Sequence, residues 1–402
     1  MIKILSAYTQ ELDDPAKAAR EILEPLDIKN SLLKNTVALF FCHAKFIEMG
    51  VMETVIKSLP FDVLGCTSQY FGVPVIAGTP ASAVDGVVIM TVTILTSDDI
   101  AFTVGVSGRL NEKNVEECVQ ELYGRTESLP GEKPSLVFAF LPTLASAPGD
   151  FTAAVLDRLC GGIPIFGTLA LDIQNYIRHP KTICKTIGQT SDECGAFSDR
   201  IALLLFRGQI KPRFFHSSFP EKSILSCDAV ITEAVGNRIV SINNRPALAF
   251  INDLGYAPNG LQENIMVFPL VVEYPNNDTH VVVLLDTNPE GHLICSMKVQ
   301  SGGILNIGAI SADSVLESAR TMAQELKKNE DGAGFFMFSC ILRNVVLGGS
   351  SQAEFELVRK ELGNYPGSWL FINSGGELCP GYTERGETVN RFHQYALVAC
   401  QF

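Results

Sequence analysis

Apolar residues fall in short runs along this chain, and three times the runs follow one plan: an apolar run, a loop with an amphipathic stretch, and a second run ending in glycine or small polar residues. The first copy joins Val37-Ala38-Leu39-Phe40-Phe41-Cys42 to Val63-Leu64-Gly65-Cys66-Thr67-Ser68. The second joins Leu136-Val137-Phe138-Ala139-Phe140 to Pro164-Ile165-Phe166-Gly167-Thr168. The third joins Phe335-Phe336-Met337-Phe338-Ser339-Cys340 to Leu370-Phe371-Ile372-Asn373-Ser374-Gly375-Gly376-Glu377. A strand, a helix and a second strand make a unit that places loops at strand ends, where α/β proteins build pockets. The pattern predicts a mixed α/β (α+β) protein in which this unit recurs three times.

Between the copies, other periods predict further elements. Residues 2–7 read as a strand, and Asp13-Asp14-Pro15 starts a helix, with acidic residues at its positive end and Pro in its first turn. Residues 87–95 and 100–106 read as antiparallel strands across a Thr-Ser-Asp-Asp turn, and residues 114–123 as an amphipathic helix. Beyond Cys184 the chain is strand-rich. Residues 229–234 and 238–242 flank a Gly236-Asn237 hairpin signal, followed by a helix at 247–254. Strands near 265–272, 281–285 and 293–297 precede the longest helix, 311–326, which carries Val315, Ala319 and Met322 on one stripe. Length favours two domains, each a β-sheet flanked by helices, with a boundary near residue 243: 1–243 and 244–402.

Charge narrows the class of partner. A net charge of −13, from 31 Lys and Arg against 44 Asp and Glu, opposes nucleic acid and anionic membranes. No apolar run spans a bilayer, and Glu11, Asp13 and Asp14 follow the first run too soon for a signal peptide, so a cytoplasmic protein is expected. The 11 cysteines are scattered singly, which reads as reduced thiols, mostly small core residues. No His or Cys spacing suits a structural metal, while a single axial histidine for a non-covalent haem leaves no pattern to find.

Candidate chemistry gathers at the ends of the three copies. Gly65, Cys66, Thr67 and Ser68 offer close backbone approach and directional hydrogen bonds, or form an ordinary strand-to-loop turn. Gly167 and Asp172 are their counterparts in the second copy, where Asp172 either receives an ammonium or hydroxyl or caps its own loop. In the third, Ser339, Cys340 and Arg343 leave one strand and Gly376 and Glu377 follow the other. Arg343 beside Cys340 would lower the thiol pKa, or its planar fork would clamp a ligand carboxylate, or it would form an internal ion pair with Glu377.

These elements, in this order, resemble the FIST family, whose N- and C-terminal domains occur in bacterial signalling proteins and eukaryotic F-box proteins. Phe338-Ser339-Cys340-x-x-Arg343 and Gly376-Glu377-Leu378-x-Pro380 are similar to its F-S-C-x-x-R and G-E-I-x-P elements. Pro164 through Asp172 resembles its G-G-x-A-x-D segment, and Gly236-Asn237 with Ile242-Asn243 its paired strands. Thr168, Tyr70-Phe71 and Asn344 depart from the pattern in the loops expected to form the pocket, so ligand identity does not carry over.

The resemblance implies an intracellular sensory protein that binds a small ligand such as an amino acid, without turnover, and passes its signal to a separate protein. In the matching positions Arg343 would meet a carboxylate, and Asp172 or Glu377 an amine. Some bacterial relatives are similar but bind haem and respond to nitric oxide, which makes a haem-dependent gas sensor one rival. A cysteine-dependent enzyme using Cys340 or Cys66 is another, and a protein-interaction scaffold a third.

Overall fold

A computed structural model describes residues 2–69, 88–111, 113–144, 147–172, 180–187, 194–217, 223–255, 268–274, 279–329, 332–348, 352–382 and 388–402. Tyr70, Phe71 and the strand expected from residue 265 to 267 lie outside these. Among the described residues the fold is a mixed α+β arrangement of four sheets.

The first sheet runs β1 (Lys3–Thr9), β4 (Met90–Ser97), β2 (Asn35–Cys42), β3 (Asp62–Thr67), β8 (Thr182–Lys185), β9 (Gly195–Phe197). The second runs β23 (Thr388–His393), β22 (Glu377–Tyr382), β7 (Ile165–Leu169), β6 (Pro134–Leu141), β10 (Ala202–Arg207), β5 (Ala101–Val106). The third runs β11 (Arg213–Ser217), β24 (Leu397–Gln401), β20 (Gly334–Cys340), β21 (Ser368–Ser374). The fourth is a half-barrel: β16 (Thr279–Val282), β15 (Leu270–Glu273), β19 (Ile304–Gly308), β12 (Ile224–Val235), β13 (Arg238–Ile242), β18 (Leu293–Cys295), β17 (Leu284–Thr287), with β14 (Arg245–Pro246) on β13.

Each of the three repeated units belongs to a different sheet. β2 pairs with β3, β6 with β7 and β20 with β21, all parallel. The connections carry α3 (Lys45–Glu48) and α4 (Val51–Ser58), then α6 (Gly149–Cys160), then α9 (Ile341–Val346) and α10 (Ala353–Leu362). The remaining helices are α1 (Pro15–Leu26), α2 (Ile28–Ser31), α5 (Val115–Glu127), α7 (Ala247–Asp253) and α8 (Ala312–Lys327). Asp14 caps α1, accepting from the N–H groups of Ala16 and Lys17 at 2.9 Å ahead of Pro15. Ser311 caps α8 through the Ser314 N–H.

The units meet in one aromatic core. Phe41 of the first lies 5.6 Å from Phe140 of the second and 6.0 Å from Phe338 of the third, between ring centroids. Phe166 stacks on Phe338 at 5.0 Å. All four rings are fully buried, and edge-on and offset contacts of this kind add to the area they remove from water. The three sheets therefore pack their inner faces against one another, with helices outside.

One expectation needs correcting. The strands expected around 87–95 and 100–106 do not pair: β4 is buried throughout between β1 and β2, whereas β5 is the edge of the second sheet. The Ser97 hydroxyl accepts from the N–H groups of Asp99 and Ile100, turning the chain from one sheet into the next instead of into a hairpin. Strands from either side of residue 243 also share sheets. β22 and β23 complete the sheet of β5, β6, β7 and β10, while β11 completes that of β20, β21 and β24.

Candidate functional site

Gly65 and Gly167 occupy matching places, and the same steric fact explains both. A Cβ on Gly65 would lie 1.7 Å from the Phe40 carbonyl oxygen, and one on Gly167 would lie 1.9 Å from that of Ala139. In each case the space belongs to the partner strand, so these glycines admit the neighbouring backbone. A ligand's approach is not what requires them.

Beyond the glycines the strand ends are laced together. The Leu171 N–H donates to the Thr67 carbonyl at 2.9 Å, joining the second unit to the first. Ser68 Oγ donates to the Asn373 carbonyl, joining the first to the third. The N–H of Leu169 donates to the Gly376 carbonyl at 2.9 Å, and that of Gly375 to the Leu169 carbonyl at 3.1 Å. Cys66, Thr67, Ser68, Asp172, Ser339, Cys340, Arg343 and Glu377 are all buried around this junction. Thr67 is further bound to Lys181, whose N–H donates to its hydroxyl at 2.9 Å.

Behind the junction lies an ionic network. Arg343 Nε and Nη2 donate to Glu354 Oε1 at 2.9 and 2.5 Å. Nη2 also reaches the Val315 carbonyl and Ser318 Oγ, and Nη1 the Tyr395 carbonyl. Ser339 Oγ donates to Glu354 Oε2 at 2.6 Å. With Arg343 only 1% and Glu354 3% exposed, this is a closed, well-bonded pair. The internal ion pair expected for Arg343 therefore forms with Glu354, not Glu377, and the guanidinium faces protein acceptors.

Glu377 is fully buried, and burial holds its carboxyl well above the usual range against the opposing pull of Ser374 and Arg343. Ser374 Oγ donates to its Oε1. Its Oε2 meets no donor at bonding distance and angle among the described residues, although the Cys340 thiol and Ala396 N–H lie near enough to favour the charged form. Asn373 Oδ1 is likewise buried without a donor among the described residues. Burial pushes the Cys340 thiol well above its ordinary value, Glu377 adds to the rise, and Arg343 opposes it only weakly. The thiol-lowering effect expected of Arg343 is thus outweighed by desolvation. Cys66, also buried, is pushed up for the same reason.

The open space lies on the other side of this network. A chamber of about 960 Å³ separates α6 and β23 from the outward face of β12, β15, β16 and β19. Val271 and Ile304 alternate with core-facing residues on their strands and line an apolar floor, with Asn306 and Glu273 as polar neighbours. His216 of β11 and His393 of β23 stack in its wall, ring centroids 4.1 Å apart and planes 31° apart. Burial lowers His216 to about 4, aided by Arg391 and Arg343. His393 is held well below its ordinary value by burial and by His216. His216 keeps substantial accessible surface although chain surrounds it, as a side chain on a concave wall does. Both imidazoles are neutral near pH 7, and His393 Nε2 pairs with the Cys379 carbonyl at 3.2 Å.

Sequence reading missed Glu354, His216 and His393. For Glu354 a signal was present: it shares the stripe of Val358 and Leu362 on α10, and a carboxylate on a buried stripe implies a partner. The two histidines are far apart in sequence and join only through the meeting of two sheet edges, so no spacing marked them. Among the described residues no helix is long and apolar enough to cross a membrane, and no group of three or more His, Cys, Asp or Glu is arranged to hold a metal.

A family model for the FIST N domain matches residues 36–245, and one for the FIST C domain matches residues 247–380. No curated protein matches the chain.

Proposed function

Because the chain belongs to the FIST family, whose domains are sensory modules of signal transduction, we propose that it is a receptor for a small ligand that binds in the chamber and is not turned over. The observation that carries this reading is the chamber itself. It has the size and the mixed apolar and polar lining of a small-molecule site, and the family's motif residues back its wall. Glu377 pairs across the ladder with His393, and Arg343 lies near enough to His216 to depress its pKa. In this reading Ser339, Cys340, Arg343 and Glu377, together with Cys66, Thr67, Ser68 and Asp172, hold the strand ends that support the chamber. A separate signalling protein receives the output.

The test is native mass spectrometry of the purified protein beside its denatured form, followed by a thermal-shift screen of metabolites. A co-purifying mass or a saturable rise in Tm that is lost on altering His216 supports the reading. A protein that carries no mass, and whose Tm no metabolite moves, would favour a scaffold.

A haem-dependent gas sensor is the second reading, favoured by one observation: His216 presents a neutral imidazole to the chamber, the state in which it would hold the iron. Titration with haem decides it. A Soret shift that needs His216 supports this reading, and its absence removes it.

A further inference from the structure

The chamber's wall and its charges restrict what it can hold. His393 is fixed by donating to the Cys379 carbonyl, and it supports one face of His216. The His216 backbone pairs with Val398 in the β11–β24 ladder, while its imidazole makes no hydrogen bond to any described residue. A neutral, accessible ring that is braced from behind and unbonded at its nitrogens is a platform for another flat ring, since offset stacking favours such pairs.

Among the described residues, the charged groups of the chamber are unbalanced. Asp150 enters from α6, and Asp228 and Glu273 from the facing sheet, against the guanidinium of Arg391. Asp150 Oδ2 accepts from the Lys298 N–H at 2.8 Å, while Oδ1 is buried with no hydrogen-bond partner among the described residues. Across the chamber Glu273 Oε1 is held by Asn306 Nδ2 at 3.0 Å, and Asn306 is only 4% exposed. This fixes a carboxylate beside the apolar strip of Val271 and Ile304. Such a lining repels anions and leaves an acceptor needing a donor.

We propose that the chamber takes a flat aromatic ring carrying an alkylamine, its ring stacked on the His216–His393 pair over the apolar floor and its protonated nitrogen held by Glu273 and Asp150. This rests on the chamber being the ligand's seat. It departs from a zwitterionic amino acid, because Arg343, the guanidinium that the family motif supplies, is closed off by Glu354.

Three compounds with one ring and different charges test it: tryptamine, L-tryptophan and indole-3-acetate, each titrated by calorimetry and thermal shift against the full chain. Tryptamine is expected to bind saturably and to raise Tm, L-tryptophan to bind more weakly, and indole-3-acetate not to bind. His216→Ala should weaken tryptamine about tenfold or more, as loss of a stacking partner does. His216→Phe, which keeps a ring there, should retain most of the affinity and serves if the alanine variant does not fold. Glu273→Gln should weaken tryptamine and leave any binding of indole-3-acetate no worse. Binding of indole-3-acetate as tight as that of tryptamine, and lost in His216→Ala, would overturn the ligand class while leaving the chamber as the seat. Tryptamine binding undiminished in both His216→Ala and Glu273→Gln would place it elsewhere and overturn the proposal. If none of the three binds, the class fails, and the co-purified mass decides separately whether the chamber is a seat at all.

Discussion

Glu377 stands opposite His393 across the antiparallel ladder of β22 and β23, and opposite Thr168 of β7 on its other side. One row of a single sheet thus runs from the strand-end junction of the second unit, through the buried carboxyl of the third, to the chamber's imidazole. A change at either end has a short covalent and hydrogen-bonded path to the other.

Glu377→Gln should reveal the carboxyl's protonation state. Burial raises its folded pKa, so the folded state keeps a proton that the unfolded chain releases above about pH 4.3. The wild-type protein therefore loses stability from this group as pH rises from that point towards the folded pKa. Glutamine mimics the neutral form and does not titrate. The difference in unfolding free energy should move in the variant's favour with rising pH, by at most about 1.4 kcal/mol per unit. Urea denaturation between pH 5 and 8 measures it, and a difference independent of pH would show the carboxyl to be ionised.

Arg343 and Glu354 should behave as one unit. Removing either partner alone, in Arg343→Met or Glu354→Leu, leaves an uncompensated buried charge, and a loss of about 3–5 kcal/mol is expected. The double variant should lose much less than the sum of the two. Equilibrium unfolding of all four proteins gives the coupling, and additive losses would mean that the pair contributes nothing jointly.

Glycine substitutions should divide by what the new methyl meets. Gly65→Ala and Gly167→Ala drive a Cβ into the partner strand's carbonyl and should destabilise by about 3 kcal/mol or more. Gly124 is exposed within α5 with open space around its Cβ, so Gly124→Ala should stabilise by about 0.5–1 kcal/mol. Thermal unfolding of the three variants checks both signs.

Thiol reactivity should follow exposure. Cys194 is exposed and Cys227 half-buried, while the other nine cysteines are buried. Native protein treated with a mild alkylating reagent and mapped by mass spectrometry should be modified first at Cys194 and next at Cys227. Fast labelling of Cys340 or Cys66 would revive a cysteine-dependent enzyme.

Local patterns were the readable part of this sequence. The three strand–helix–strand units, the Asp14-Pro15 helix start and the hairpin at Gly236-Asn237 follow from periodicity and capping, which act within a few residues. Sheet membership is decided by contacts hundreds of residues apart. Nothing within residues 87–106 marks β4 and β5 for different sheets, and nothing near His216 announces His393. Arg343 was visible as a charge on an apolar stretch, yet its partner was misjudged: Glu354, 11 residues along the chain, was passed over for the more distant Glu377, and only packing chooses between carboxylates.

The sharing of strands between sheets bears on synthesis. β7 is complete early, but the strand that covers its open edge, β22, is made more than two hundred residues later. Until then the nascent chain carries an unpaired edge of the kind that recruits foreign strands. The ribosome-bound first half is therefore an aggregation-exposed intermediate, and a fragment ending near residue 245 should need a chaperone, or the missing segment supplied in trans, to stay soluble.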